Sequence, residues 1–155
     1  MEGRLVKGQI GVIGGAECSP EIYEIAREVG REIAKNGFSL VCGGLGGVME
    51  AACRGAKEGG GITIGILPTD NKRDANPYVD LIIPTGLSHA RNVLVVHASD
   101  ALVAVDGEAG TLSEIAIALK VRKPIVGIRT WELDGRVPLA KGGRESVAML
   151  MDMLR

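Results

Sequence analysis

At 155 residues, 46% of them hydrophobic and 24% charged, the chain has the size and make-up of one globular domain, which excludes two large domains and a wholly disordered or fibrous polypeptide. Eighteen Lys and Arg face nineteen Asp and Glu, a formal charge of −1 that provides no basic footprint for nucleic acid or for an anionic membrane.

In chain order, residues 1–8 carry Arg4 and Lys7 but no apolar signal core, and lead directly into a strand-like run at Ile10 to Ile13. Ser19, Pro20 and Glu21 read as a helix start, with Ser as the cap, Pro at the first helical position and an acid in the first turn. Apolar residues at helical spacing follow, from Ile22 to Ile33, and Asn36-Gly37 closes the helix. Further strands are expected at Phe38 to Cys42, Ile62 to Leu67, Leu81 to Ile83, Ala101 to Val105 and Pro124 to Ile128. Helices should fill the gaps at Val48 to Lys57, Ser88 to Ala98, Leu112 to Lys120 and Arg144 to Leu154, while the polar stretch Asp70 to Pro77 reads as a surface loop. Short apolar runs alternating with helices are the signal of βαβ units, so one domain over residues 1–155 is expected, an α/β, three-layer, Rossmann-like, doubly wound and mainly parallel sheet.

No apolar run approaches the ~20 residues that cross a bilayer, so a soluble protein with no membrane partner is expected. Cys18, Cys42 and Cys53 are odd in number and lack paired spacing, which points to free structural thiols in a reducing cytoplasm and to no metal site. The helices at Val93 to Ala98 and Leu112 to Lys120 are apolar around more than one face. A second copy of the chain, in a homodimer or homotetramer, would supply the missing cover, with deep burial inside one monomer as the other reading.

The composition is unusual in its 23 Gly and its four aromatics, Tyr23, Phe38, Tyr78 and Trp131, so backbone groups should carry most of the recognition. Three strands run into glycine-rich turns: Gly14-Gly15, Gly43-Gly44-Leu45-Gly46-Gly47, and Gly107-Glu108-Ala109-Gly110-Thr111. In a doubly wound sheet such turns gather at the carboxyl edge, where glycine permits close approach and the next helix offers free N–H groups to an anion. A small phosphate-containing ligand is the natural guest. Gly14, Gly43, Gly44, Gly46, Gly47, Val48, Met49, Gly107, Gly110 and Thr111 are the candidate binding residues. The familiar fingerprints fail: there is no GxGxxG after the first strand, no GxxxxGK[ST], and no GxSxG elbow, which disfavours NAD binding, ATP hydrolysis and acyl transfer.

Gly43 to Ala52, running on to Gly65-Ile66-Leu67-Pro68, resembles the first signature of the LOG-like proteins, often labelled lysine decarboxylases, which include cytokinin-activating phosphoribohydrolases. Asp106 to Glu114 is similar to their second signature, PGGxGTxxE. The stretches Ala75 to Asp80, Thr85 to Asn92 and Gly110 to Ile115 are closer still to a short branch that includes the molybdenum cofactor carrier proteins. The resemblance covers roughly Ile10 to Ile128. It implies a Rossmann-like oligomer that needs no resident cofactor and whose ligand is an AMP-like nucleotide or a molybdopterin-type cofactor. It also implies Arg91 and Glu114 as the pair that would cleave the N-glycosidic bond of a nucleoside 5′-monophosphate, giving free base and ribose 5-phosphate.

The same residues admit plainer roles. Thr111-Leu112-Ser113-Glu114 matches a capping box, Arg91 could serve an ion pair, Glu50 suits a helix dipole, and His89 and His97 fit no metal pattern. Two departures from the enzymes favour a binding protein or another substrate. Asp106 and Glu108 replace Pro and Gly and add negative charge, and Asn92 stands where the enzymes carry Lys. DNA handling, known on this fold, is disfavoured by the balanced charge and the scarcity of aromatics.

Overall fold

A computed structural model of the chain describes residues 3–155. Six strands form one sheet: β1 (Gln9–Gly14), β2 (Ser39–Cys42), β3 (Thr63–Leu67), β4 (Leu81–Pro84), β5 (Ala101–Val105) and β6 (Ile125–Ile128). The spatial order is β4-β3-β2-β1-β5-β6, and every pairing is parallel. Five helices cover it: α1 (Pro20–Lys35), α2 (Val48–Glu58), α3 (Arg91–Ala98), α4 (Ala109–Lys120) and α5 (Gly143–Met153). The doubly wound, three-layer α/β reading of the sequence holds. Because all strands run the same way, every glycine-rich turn leaves the sheet at one edge, and the strand order reverses between β1 and β5, where such sheets form a crevice.

The central strands β2 and β5 are buried along their whole length, as unbroken apolar runs covered on both faces require. Ile10 and Val12 of β1 point into a core shared with α1, α2 and α5, while Ile13 joins Val95, Val96 and Ile115 in the core under α3 and α4. Ser19 caps α1 by accepting from the Ile22 N–H at 3.2 Å, with Pro20 first in the helix, as its sequence signals.

Two helices depart from their expected starts. Ser88 to Ala90 form a 3-10 turn with Ser88 in a left-handed conformation (φ 54°), so α3 begins only at Arg91. By contrast, α4 begins at Ala109, three residues before the expected Leu112. The loop at Asp70 to Pro77 is exposed except near Asn76 and contains a short 3-10 turn at Lys72–Asp74. No helix among the described residues is long and apolar enough to cross a membrane.

Candidate functional site

A cleft of about 460 Å³ opens at the carboxyl edge between β1 and β5. Its walls come from the β1 turn, Gly43, Leu45 and Met49 of the β2 turn, the Asp106 to Thr111 segment after β5, and His89, Arg91, Asn92 and Glu114. Eight of the residues expected from sequence line it together: Gly14, Gly43, Met49, Arg91, Gly107, Gly110, Thr111 and Glu114.

Four others, Gly44, Gly46, Gly47 and Val48, sit behind the lining and shape the β2 turn. A Cβ on Gly44 would meet Leu67 Cδ2 at 2.6 Å. Gly47, the cap residue of α2, has φ 60° and ψ −125°, and a Cβ there would lie 2.4 Å from the Gly15 carbonyl oxygen. Val48 is fully buried against Gly14 and donates its N–H to the Gly15 carbonyl at 3.0 Å. One of the free amides of α2 is therefore taken up by the fold.

The first turn of α4 is different. Its first helical bond runs from the Leu112 N–H to the Glu108 carbonyl at 2.9 Å, so the N–H groups of Ala109, Gly110 and Thr111 precede the ladder and have no intrahelical acceptor. Glu108 is the cap position and its side chain makes no capping bond. The capping-box reading of Thr111 and Glu114 fails for the same reason: with the helix starting at Ala109, Thr111 is already inside its first turn. Gly107 (φ 90°) brings the chain round, and a Cβ there would strike Thr111 Oγ1 at 2.2 Å. The result is a run of amides without intrahelical acceptors, and two of the residues that carry them, Gly110 and Thr111, line the cleft.

Arg91, at the start of α3, is only 9% exposed and forms no ion pair among the described residues. Its guanidinium crosses directly over Gly43, where a Cβ would lie 2.5 Å from Nη1. It donates from Nη1 to Asn92 Oδ1 at 3.1 Å, while its buried Nε has no partner. Burial lowers its pKa, opposed by the nearby charges of Glu114 and Cys42. Glu114 is 6% exposed, and burial pushes its carboxyl up to about 7, although the Arg91 charge pulls the other way. The pair sense each other across the cleft without closing a direct salt bridge.

Asn92 and His89 line the cleft beside the residues expected to bind. Asn92 stands out in the sequence only as a departure from the enzymes' Lys, and its part in the cleft shows in its hydrogen bonds, while His89 falls in a 3-10 turn where the sequence predicts a regular helix. Asp106 and Glu108, flagged as departures, do line the cleft. Glu50 lies outside it, accepting a hydrogen bond from the Tyr23 hydroxyl at 3.3 Å. No group of three or more His, Cys, Asp or Glu among the described residues is arranged to hold a metal ion.

A parallel six-stranded sheet with a crevice at its switch point, holding a buried arginine, places the chain among the Rossmann-like α/β proteins. Within that class the chain belongs to the SLOG cluster4 family, whose model matches residues 7–152. It is 53% identical over 122 residues to an uncharacterised protein of Archaeoglobus fulgidus, covering 78% of this chain and 80% of that one. It is 35% identical over 121 residues to the cytokinin riboside 5′-monophosphate phosphoribohydrolase of Mycobacterium tuberculosis, a match covering 72% of this chain and 64% of that protein. The molybdenum cofactor binding protein of the phototrophic bacterium Rippkaea orientalis superposes with a TM-score of 0.91 at 35% identity, over 98% of this chain and 100% of that one. Both sides of the resemblance read from the sequence, to LOG-like enzymes and to molybdenum cofactor carriers, are therefore present.

Proposed function

We propose that the chain binds a phosphate-containing nucleotide or nucleotide-like cofactor in this cleft, an AMP-like nucleotide or a molybdopterin-type molecule. The observation that carries this reading is the run of acceptor-free amides opening α4 in the same cleft as the buried Arg91 guanidinium. Fixed amides and a planar guanidinium are the two groups best suited to hold a phosphate, and neither needs a metal. The likeness over nearly the whole chain to a molybdenum cofactor binding protein supports a binding role. So do Asp106 and Glu108, whose carboxylates suit a ligand with hydrogen-bond donors better than a bare dianion. The reading includes a cytoplasmic, self-associating protein that acts on small molecules and not on nucleic acid. Melting curves with a panel of nucleoside 5′-monophosphates test it: a ligand at a hundred times its Kd stabilises by about 2.7 kcal/mol, whereas the matching nucleosides should shift the curve little. Equal shifts for nucleotides and nucleosides would remove the phosphate from the account.

A second reading, hydrolysis of a nucleoside 5′-monophosphate, is favoured by one further observation: Arg91 and Glu114 share the cleft, with Glu114 poised between its acid and its base forms near pH 7. In that reaction the N-glycosidic bond breaks and the base departs with a proton. Water adds to the ribose carbon, and Glu114 as carboxylate stabilises the positive charge developing there or takes the proton from the water. Release of free base from the same panel, abolished in Glu114→Gln, is the expected result of this reading. A silent assay alongside clear melting shifts would leave the binding protein alone.

A further inference from the structure

The two phosphate-directed elements of the cleft belong to different helices, since Arg91 opens α3 and the free amides open α4. A chain of side-chain hydrogen bonds joins them. Arg91 Nη1 donates to Asn92 Oδ1 at 3.1 Å, Asn92 Nδ2 donates to Ser113 Oγ at 3.2 Å, and Ser113 Oγ donates to the Gly110 carbonyl at 2.7 Å. Asn92 is 7% exposed and its bond to Arg91 is buried, and the relay reaches the surface at Ser113.

A guanidinium carries five donors and is costly to desolvate, and here one of them, Nε, has no acceptor. Without an anchor, such a group would gain by swinging through the open cleft to water. We propose that Asn92 is a positioning residue: it clamps the Arg91 guanidinium over Gly43 and, through Ser113, registers it against the first turn of α4, so that both elements meet one phosphate. The task needs an acceptor and a donor on one short side chain, which an amide supplies. Aspartate would offer only acceptors and would set a negative charge on the guanidinium, while leucine offers neither. Ser113 completes the relay by accepting from Asn92 and donating to Gly110, an arrangement in which each bond polarises the next.

The consequence for ligand binding rests on the phosphate reading above, whereas the clamp itself is a property of the free protein, and two measurements keep them apart. Side-chain nitrogen NMR of Arg91 without ligand reads the clamp: the wild type should show hindered rotation and distinct Nη signals, and Asn92→Ala should merge them. Titration with AMP and with adenosine reads the consequence. Asn92→Ala should weaken AMP about tenfold, the scale of one lost hydrogen bond to a charged group, and leave adenosine unchanged. Asn92→Asp should weaken AMP at least as much. Ser113 is exposed, so Ser113→Ala provides a variant that folds even if Asn92→Ala does not, and it should loosen the Arg91 signals in the same direction. Unchanged Nη signals in the folded variants, or equal losses for AMP and adenosine, overturn the proposal. A wild type that binds neither molecule overturns the phosphate reading, and the NMR comparison still decides the clamp.

Discussion

Arg91 occupies the space that a side chain at position 43 would take, with a Cβ there falling 2.5 Å from Nη1 and 2.9 Å from Met49 Sδ. Both neighbours are the ends of flexible side chains, so Gly43→Ala is expected to lower stability only slightly while displacing the guanidinium, weakening AMP roughly tenfold with a shift in Tm of a few degrees at most. A large drop in Tm with unchanged affinity would show that Gly43 serves the fold and not Arg91. Glu114 makes a separate prediction through its proton. Its carboxyl is raised from 4.5 to about 7 by burial, so the folded state holds that proton more tightly than the unfolded chain. The associated stability is complete below pH 4.5 and is lost as pH rises through 7, by on the order of 3 kcal/mol. Comparing urea unfolding of wild type and Glu114→Gln from pH 4.5 to 8 isolates it, because the other titrating groups cancel in the difference. The wild type should lose stability relative to the variant across that range, and a flat difference would mean that Glu114 keeps an ordinary carboxyl. At this scale the sequence was legible for residue types that carry their meaning in a motif, such as Arg91, Glu114 and Thr111. For Asn92 the sequence shows only a departure from the enzymes' Lys, because its partners lie one residue and twenty-one residues away.

The glycines of α1 and α2 act between elements. Gly30 faces α2 so closely that a Cβ would lie 1.9 Å from the Ala52 carbonyl oxygen, and a Cβ on Gly55 would lie 1.8 Å from that of Arg27. Alanine at either position gains about 1 kcal/mol of helix propensity but must push two backbones apart, and overpacking of that kind costs about 3 kcal/mol or more. Gly30→Ala and Gly55→Ala should therefore each be destabilising by denaturant titration, whereas at the open Gly110, where a Cβ meets nothing within 4 Å, the propensity gain should prevail. A neutral Gly30→Ala would mean that the helices can separate freely. Elements as such were readable, because parallel strands buried on both faces leave unbroken aliphatic runs, and β5 falls where its sequence puts it, at Ala101–Val105. The two misplaced starts have a local cause that periodicity does not carry. Ser88 is held left-handed and breaks the turn before α3. At α4, the Gly110-containing stretch reads as loop, yet it winds into the first helical turn that carries the free amides.

At the scale of the whole molecule, several large apolar side chains of the β4 and α3 region are left exposed. Leu81 (55% exposed) and Ile83 (47%) of edge strand β4 align in register with Ile64 and Ile66, which pack into the core beneath α3, so they emerge on that same face of the sheet. Leu87, Val93 and Leu94, in and just before α3, are 39–50% exposed on the same side of the molecule. Half-exposed aliphatics in this number on one face are the kind of surface that proteins cover with a partner. A parallel sheet also normally has both faces covered to its edge, and β4 does not. We propose a second copy of the chain as the occupant, since like apolar faces can meet across a twofold axis without any charge being matched. Such a copy would supply the cover expected from the sequence for the apolar helix at Val93 to Ala98. In the proposed assembly the interface would lie beside His89 and Arg91, at the mouth of the cleft. Light scattering at micromolar concentration should give twice the chain mass or a multiple of it, and Ile83→Glu combined with Leu94→Glu should give folded monomer. Because those two positions lie on the outer surface, the monomer should keep its Tm to within the contribution of the interface. Wild type that scatters as a monomer would leave the patch for another partner, and a double variant that remains associated would move the interface elsewhere on the surface.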